Sequence, residues 1–349
     1  MSLDFYHGKR VLVSGHTGFK GTWLCRLLLN AGAQVMGLSL KGEARPFFDR
    51  AALEMQDVRL DIRDFDALHA QFSAFAPEIV FHLAAQPIVR ESYARPRETY
   101  GINVMGTVNV LECIRQTASV QSTVIVTTDK VYRNQEQGRP FREDDGLDGF
   151  DPYSNSKSCA ELATACYRRS FAGLPPVSTA RAGNVIGGGD FAKDRIIPDC
   201  VRAAQRGEPI VVRNPHSIRP YQHVLEPLFA YLLIAEKQAE DPALAGSYNI
   251  GPEESDCVTT GALATLFCEK WGDGATWIDQ SEPNAPHEAS FLKLDCRRMQ
   301  ETFGWRPRWN IETAIEMVCR FEKHRLAGGE IGEEMDREIE TYLIERKRA

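Results

Sequence analysis

The sequence has no Cys-x-x-Cys pair, no apolar run near the roughly 18 residues that cross a bilayer, and no strong excess of either charge. Each absence removes a class of function. Without paired spacing, the nine cysteines (Cys25, Cys113, Cys159, Cys166, Cys200, Cys257, Cys268, Cys296 and Cys319) read as reduced, mostly buried thiols of a cytoplasmic protein, and no metal site is expected. The richest apolar stretch, 228–235, has the length of a buried helix or strand, so no membrane association is expected. The first ten residues carry Asp4 and no apolar core, so a secretion signal is not expected. Internal repeats and low-complexity linkers are also missing. With 41 Lys+Arg against 48 Asp+Glu, the formal charge of −7 gives no broad grip on nucleic acid, although small anionic ligands remain in play.

What remains is 349 residues, 43% of them hydrophobic, enough for about two domains. Short apolar runs at 10–14, 34–40, 79–83 and 123–127 alternate with helical patterns at 21–31, 64–75 and 98–116. Strands that read as continuous Val/Ile/Leu runs separated by helices predict an α/β fold, a parallel sheet covered on both faces in the doubly wound Rossmann manner. Beyond about residue 175 the rhythm loosens, and the Gly- and Pro-bearing stretches 187–198, 213–220 and 281–287 read as loops. The expected division is a Rossmann domain over 1–182, rejoined by a later segment near 215–245, with 183–349 mainly a smaller, interleaved α/β substrate-binding part.

Gly15-His16-Thr17-Gly18-Phe19-Lys20-Gly21 follows the first strand and opens the first helix. A glycine-rich turn there lets the backbone approach a pyrophosphate while the helix N-terminus supplies amide donors. The residue that reads the ribose is expected about 20 positions further on. Ser39, Leu40 and Lys41 stand there without a carboxylate, which leaves NAD and NADP both open. Asp61 and Ile62 are placed to meet the adenine, or Asp61 is only a solvated helix cap before Asp64. Leu83, Ala84 and Ala85 end the next strand with residues small enough for a cofactor to pass.

Tyr153 and Lys157 have the four-residue spacing that puts both side chains on one helix face. A nearby ammonium and a cationic nicotinamide would favour the phenolate, which could accept a proton from a sugar hydroxyl as hydride leaves the same carbon. Thr128, just after the strand at 123–127, is the candidate donor to that hydroxyl. Asp129 and Lys130 would add an acid and a base or electrostatic partner.

These residues resemble the extended short-chain dehydrogenase/reductase superfamily and, within it, the sugar-nucleotide dehydratases, over nearly the whole chain. Beyond the glycine turn, the resemblance is carried by residues 82–90, Thr128-Asp129-Lys130, Asp151-Pro152-Tyr153-Ser154-Asn155-Ser156-Lys157, residues 181–190, 213–220 and 286–295. Several look distinctive of the branch acting on CDP-glucose. The resemblance implies a hydro-lyase with tightly held NAD that oxidises C4 of the hexose, eliminates water across C5 and C6, and returns hydride to C6. It implies Tyr153 as base, Lys157 tuning it and Thr128 positioning the hydroxyl. Related dTDP-glucose dehydratases carry Asp-Glu where this chain has Asp129-Lys130, so Lys130 is either the C5 base or an enolate stabiliser.

The resemblance further implies substrate contacts by Asn184, Arg195, Arg213, Arg219, Asn249 and His287, with Arg195 and Arg219 clamping a pyrophosphate and Asn249 and His287 along the nucleotide channel. Arg195 could instead pair with Asp194 or Asp199, and Lys20 either approaches phosphate or points to solvent. The nucleotide sugar would be the small-molecule partner of a homodimer or higher oligomer built on helices near 98–116 and 153–170. The product would serve deoxysugar synthesis for surface polysaccharide such as lipopolysaccharide O-antigen. Rival readings are a 4-epimerase or a dehydratase for another nucleotide hexose, and a nucleotide-binding regulator without chemistry.

Overall fold

The β-branched and leucine-rich runs become strands of a single parallel sheet. A computed structural model describes residues 3–41, 45–134, 138–281 and 292–348. Strands β1 (Arg10–Ser14), β2 (Gln34–Ser39), β3 (Gln56–Arg59), β4 (Ile79–His82), β5 (Ser122–Val126), β6 (Val177–Ala182) and β7 (Ser247–Ile250) lie in the order β7-β6-β5-β4-β1-β2-β3. Alternate side chains feed opposite cores. Val11 and Val13 join Trp23, Leu24 and Leu28 of helix Phe19–Asn30 and Leu228 and Leu232 of helix Leu225–Glu240. Leu12 joins Phe72, Leu111 and Ile114 on the other face, from helices Phe65–Phe75 and Gly106–Gln116. A sheet so covered on both faces is the doubly wound arrangement expected from the alternation. Its strand order reverses between β1 and β4, which opens a crevice at the carboxyl ends of the strands.

Several expectations need adjustment. The segment near 215–245 packs on the sheet as the buried helix Leu225–Glu240, and a further strand, Ser247–Ile250, joins the sheet just past it. The helix expected over 98–116 begins at Pro96 and is interrupted by a π-turn, Gly101–Met105. Its buried Asn103 accepts a hydrogen bond from the Gln86 amide at 2.8 Å and donates to Gln86 O at 3.1 Å and Ser156 Oγ at 2.9 Å. Such single wide turns re-aim side chains inside otherwise regular helices. Two stretches read as loops contain structure: helix Ile196–Arg206 starts within 187–198, and strand Ile218–Pro220 lies within 213–220. Pro198 sits in the first helical turn, where a missing N–H leaves no bond unmade. Of 281–287, only Ser281 is among the described residues.

The smaller part has its own core, in which Ile197, Cys200, Leu263, Phe267, Ile315 and Val318 bring together helices Ile196–Arg206, Thr260–Trp271 and Ile311–Leu326. The last described helix, Ile331–Arg348, returns to the first. Asp336 accepts hydrogen bonds from Arg26 Nε and Asn30 Nδ2, both at 2.7 Å, and Tyr342 donates to the buried Glu226 at 2.7 Å.

Behind the crevice lies a buried ion pair. Arg181 of β6 meets Glu161 at 2.8 Å, and both side chains are almost wholly enclosed. Thr127 and Thr179 donate to the same carboxylate at 2.5 and 2.7 Å, while Arg181 also donates to Tyr132 OH and Glu143 O, both at 2.9 Å. Burial pushes the Glu161 carboxyl up, but Arg181 and the hydroxyl donors outweigh it and hold it below its ordinary value. Its stabilising contribution is therefore present above the unfolded carboxylate range and lost as pH falls through the lower folded value. Arg181→Met strands this charge and should cost about 3–5 kcal/mol at pH 8 by urea unfolding. The loss should shrink at pH 5, where the unpartnered Glu161 takes a proton. An equal loss at both pH values would contradict this account.

Candidate active site

The glycine turn closes against β4. Gly15 has φ +76°, and a Cβ added there would stand 2.7 Å from Ala84 N, while one on Gly21 would stand 2.2 Å from Gly15 O. Only glycine meets both demands. Gly18 begins helix Phe19–Asn30 without a side-chain cap, so the first-turn amides are left for a ligand.

A cleft of about 940 Å³ runs from this turn across the carboxyl ends of the strands. Gly15, Thr17, Gly18, Phe19, Lys20, Gly21, Ser39, Asp61, Ile62, Leu83, Ala84 and Ala85 line it with Thr128, Asp129, Lys130, Tyr153 and Lys157, and so do Asn184, Arg195, Arg213 and Arg219. At the outer end of β2, Thr17 and Ser39 hydroxyls lie 2.8 Å apart, and Arg45 reaches both and donates to Leu40 O at 3.0 Å. Asp61 is held below the usual carboxylate range chiefly by its hydrogen bonds from Arg63. At the inner end, His82 bridges Ser14 at 2.6 Å and Thr107 at 3.0 Å, and burial takes its pKa down to about 3, so it is a neutral spacer.

The reacting end is placed by two local devices. Asp151 caps helix Pro152–Ser170, accepting from the Ser154 amide at 3.0 Å, with Pro152 at the first helical position. That fixes Tyr153 and Lys157 one turn apart, facing the end of β5. Thr128 starts a short 3₁₀ turn, Asp129–Val131, and its hydroxyl donates to Asp129 Oδ1 at 3.0 Å. Asp129 is buried, and desolvation raises its carboxyl above the ordinary value against the pull of Lys130.

Lys157 Nζ donates to Val126 O at 3.0 Å, and burial lowers its pKa to about 8. Tyr153 is pushed up to about 12 by burial, and the groups that oppose this are the hydrogen bond with Thr128 and the charge of Arg195.

Among the substrate candidates, Arg195 pairs with Asp190 at 2.9 Å rather than with Asp194 or Asp199. Those two carboxylates meet Arg213 instead, at 2.7 and 3.6 Å. Arg219 is buried close enough to Asp129 to lower it. Asn249 does not line the cleft. It is fully buried on β7, where its amide donates to Phe141 O at 2.9 Å and Asp295 O at 3.2 Å, and its oxygen accepts from Tyr132 OH at 2.5 Å. A side chain with every polar atom so used is a structural tie. His287 lies outside the described residues.

Lys20 lines the cleft rather than pointing to open solvent. Its ammonium points along the cleft to Tyr231 OH, 3.5 Å away on helix Leu225–Glu240. Tyr231 was missed, although a lone hydroxyl in the apolar run 228–235 was a usable signal. Arg45, Arg90, Asp190 and Tyr221 also line the cleft without having been singled out.

The family described as "NAD dependent epimerase/dehydratase family" matches residues 11–251. A CDP-glucose 4,6-dehydratase from Salmonella typhimurium is 43% identical, over 97% of this chain and 98% of its own. The chain belongs to the NAD dependent epimerase/dehydratase family. A probable dTDP-glucose 4,6-dehydratase from Sinorhizobium fredii is 27% identical over 89% of this chain and 92% of its own. Among solved structures, the UDP-glucose 4-epimerase of Thermus thermophilus in complex with NAD superposes with a TM-score of 0.80 at 25% identity, covering 90% of this chain and 99% of that one. The dTDP-glucose 4,6-dehydratase of Bacillus anthracis, also with NAD, gives 0.77 at 19% identity, over 91% and 98%.

NAD is the cofactor of this epimerase/dehydratase family, and the crowded glycine turn with its uncapped helix start fits a dinucleotide pyrophosphate. Gly15, Gly18 and Gly21 would hold the pyrophosphate, and Ser39, Asp61 and Ile62 the adenosine. Tyr153→Phe removes a hydroxyl but no contact of the turn. It should lower turnover by at least about a hundredfold, with NADH affinity by fluorescence titration unchanged within about twofold. A variant that no longer binds NADH would show a folding role instead.

Proposed function

We propose that the protein dehydrates CDP-glucose to CDP-4-dehydro-6-deoxyglucose. One observation carries the choice of dehydration over epimerisation: Asp129 is a buried carboxyl, raised toward its protonated form, beside Thr128 and in one cleft with Tyr153. A 4-epimerase needs no such acid. The nucleotide is taken from the 43% identical Salmonella relative.

Bound NAD supplies a hydride acceptor for C4 and the donor that returns it to C6. Tyr153 accepts the proton of the 4-hydroxyl, which Thr128 orients, as that carbon becomes a ketone. The ketone acidifies the C5 proton, and removal of that proton gives an enolate that Lys130, as base or as cation, is placed to serve. Asp129 delivers its proton to the C6 hydroxyl, so the C6–O bond breaks with water leaving. Hydride enters C6, a proton re-enters C5, and the atoms sum to substrate minus one water. Asn184, Arg195, Arg213 and Arg219 hold the sugar and its pyrophosphate in place.

The product is a precursor of deoxysugars, and we assign it to surface-polysaccharide synthesis of the O-antigen type, in the cytoplasm. Among the described residues no helix is long and apolar enough to cross a membrane. Homodimerisation through the helices at 96–116 and 152–170 is supported by Met105 and Leu162, exposed by 53% and 55%.

Incubation with CDP-glucose in D₂O should give a 4-keto-6-deoxy product carrying deuterium at C5, and dTDP-, UDP- and GDP-glucose should turn over at least about tenfold more slowly in kcat/KM. A 4-epimer formed without loss of water would overturn the dehydratase reading. Met105→Glu combined with Leu162→Glu should convert the dimer to monomer in light scattering, and an unchanged mass would remove these helices from the interface.

A further inference from the structure

Asp190 lines the cleft, is buried, and has no part in the dehydration as derived above. Its backbone is held on both sides. Before it, the Gly189 amide donates to Glu322 at 2.9 Å, and Gly188 O accepts from Trp23 Nε1 at 3.0 Å. After it, the Phe191 ring lies 5.0 Å from the guanidinium of Arg325, which itself donates to Glu322 at 2.6 Å. One buried carboxylate on helix Ile311–Leu326 thus grips the chain ahead of Asp190 directly and the ring behind it through Arg325. Asp190 Oδ1 accepts from the Ala192 amide at 3.1 Å, and Oδ2 accepts from Arg195 Nη1 at 2.9 Å. A carboxylate oxygen can accept about two hydrogen bonds, so each has capacity for one more.

The pair stands at the reacting end. Arg195 acts on Tyr153, and both Arg195 and Asp190 act on Lys20 together with Lys157 and Asp129. A glucosyl group brings hydroxyls at C2, C3, C4 and C6 to that end. Tyr153 and Thr128 serve the one at C4, and Asp129 the one at C6. The hydroxyls at C2 and C3 can accept from Arg195, but each also carries a hydrogen that needs an acceptor once water has left. Lysine and arginine supply donors only. Of the other carboxylates that line the cleft, Asp61 is taken by Arg63 at 2.6 Å, and Asp194 and Asp199 by Arg213. We propose that Asp190 reads the hexose: its two oxygens accept from the neighbouring 2- and 3-hydroxyls while Arg195 donates to them. The pair then favours a sugar carrying both hydroxyls side by side over one that lacks either.

The inference rests on the proposed dehydration, which fixes where C4 and C6 lie, and it is tested by binding rather than turnover. Enzyme loaded with NADH cannot take hydride from C4, so it holds the sugar nucleotide unreacted. Dissociation constants for CDP-glucose, CDP-2-deoxyglucose, CDP-3-deoxyglucose and CDP are measured by calorimetry on the NADH-loaded wild type, Asp190→Ala and Asp190→Asn. The wild type should bind CDP-glucose at least about tenfold more tightly than either deoxy sugar. Asp190→Ala should bind all three sugars within about threefold of one another, with CDP itself unchanged within about threefold. Asp190→Asn, which has one acceptor oxygen left, should retain a preference over one deoxy sugar at most. A wild-type preference below about twofold, or one that survives in Asp190→Ala, overturns the inference while leaving the dehydration standing. Equal losses for CDP and all three sugars in both variants would show a structural role and overturn it too. A wild type that binds CDP but none of the sugars would overturn both readings.

Discussion

Glu161 and Arg181 can each be charged inside this protein only because the other is there. Their contact fastens three things at once: β6 through Arg181, the end of β5 through Thr127, and helix Pro152–Ser170 through Glu161 itself. That helix carries Tyr153 and Lys157, and the end of β5 carries Thr128 and Asp129. The chemistry at the front of the crevice thus takes its geometry from an ion pair at the back. Tyr132 extends the network to Asn249 and hence to β7, so the residue expected in the nucleotide channel serves as a tie between the edge strand and the loop around Phe141. Replacing such a pair by apolar residues can leave stability unchanged, but no apolar pair would hold two hydroxyls and a phenol in fixed directions.

The cleft in front of this anchor is governed by the cost of keeping charge away from water. Lys20, Lys157, Arg195 and Arg219 converge in a protein of formal charge −7. Desolvation moves Lys20 and Lys157 toward neutrality and Asp129 toward its acid form. The same force therefore moves an acid toward holding its proton and two ammonium groups toward giving theirs up, and it keeps Tyr153 from becoming a phenolate before a further positive charge arrives.

Much of this was legible in the sequence because its signals are local. A strand pattern needs five residues, the glycine turn seven, and the Tyr153 and Lys157 spacing one helical turn. Those features fall where they were expected. What escaped depends on distant partners. Asn249 looked like a ligand because nothing nearby in sequence says that Phe141, Tyr132 and Asp295 will surround it. Lys20 points at Tyr231, 211 positions away, for the same reason, whereas Arg195 turned to Asp190, itself a near neighbour in sequence, rather than to Asp194 or Asp199. The π-turn at Gly101–Met105 was invisible to a helical pattern that tolerates one extra residue without losing its apolar stripe.

The meeting of helix Phe19–Asn30 with helix Ile331–Arg348 has a consequence in time. A ribosome makes helix Phe19–Asn30, which opens on the glycine turn, well before helix Ile331–Arg348, which packs against it. At about 5–20 residues per second, roughly 15–60 s separate the two. During that interval the nascent sheet lacks the partner for Arg26 and Asn30, and Glu226 lacks the hydroxyl of Tyr342. A helix packed on the heart of the sheet is thus made long before the segment that completes its contacts.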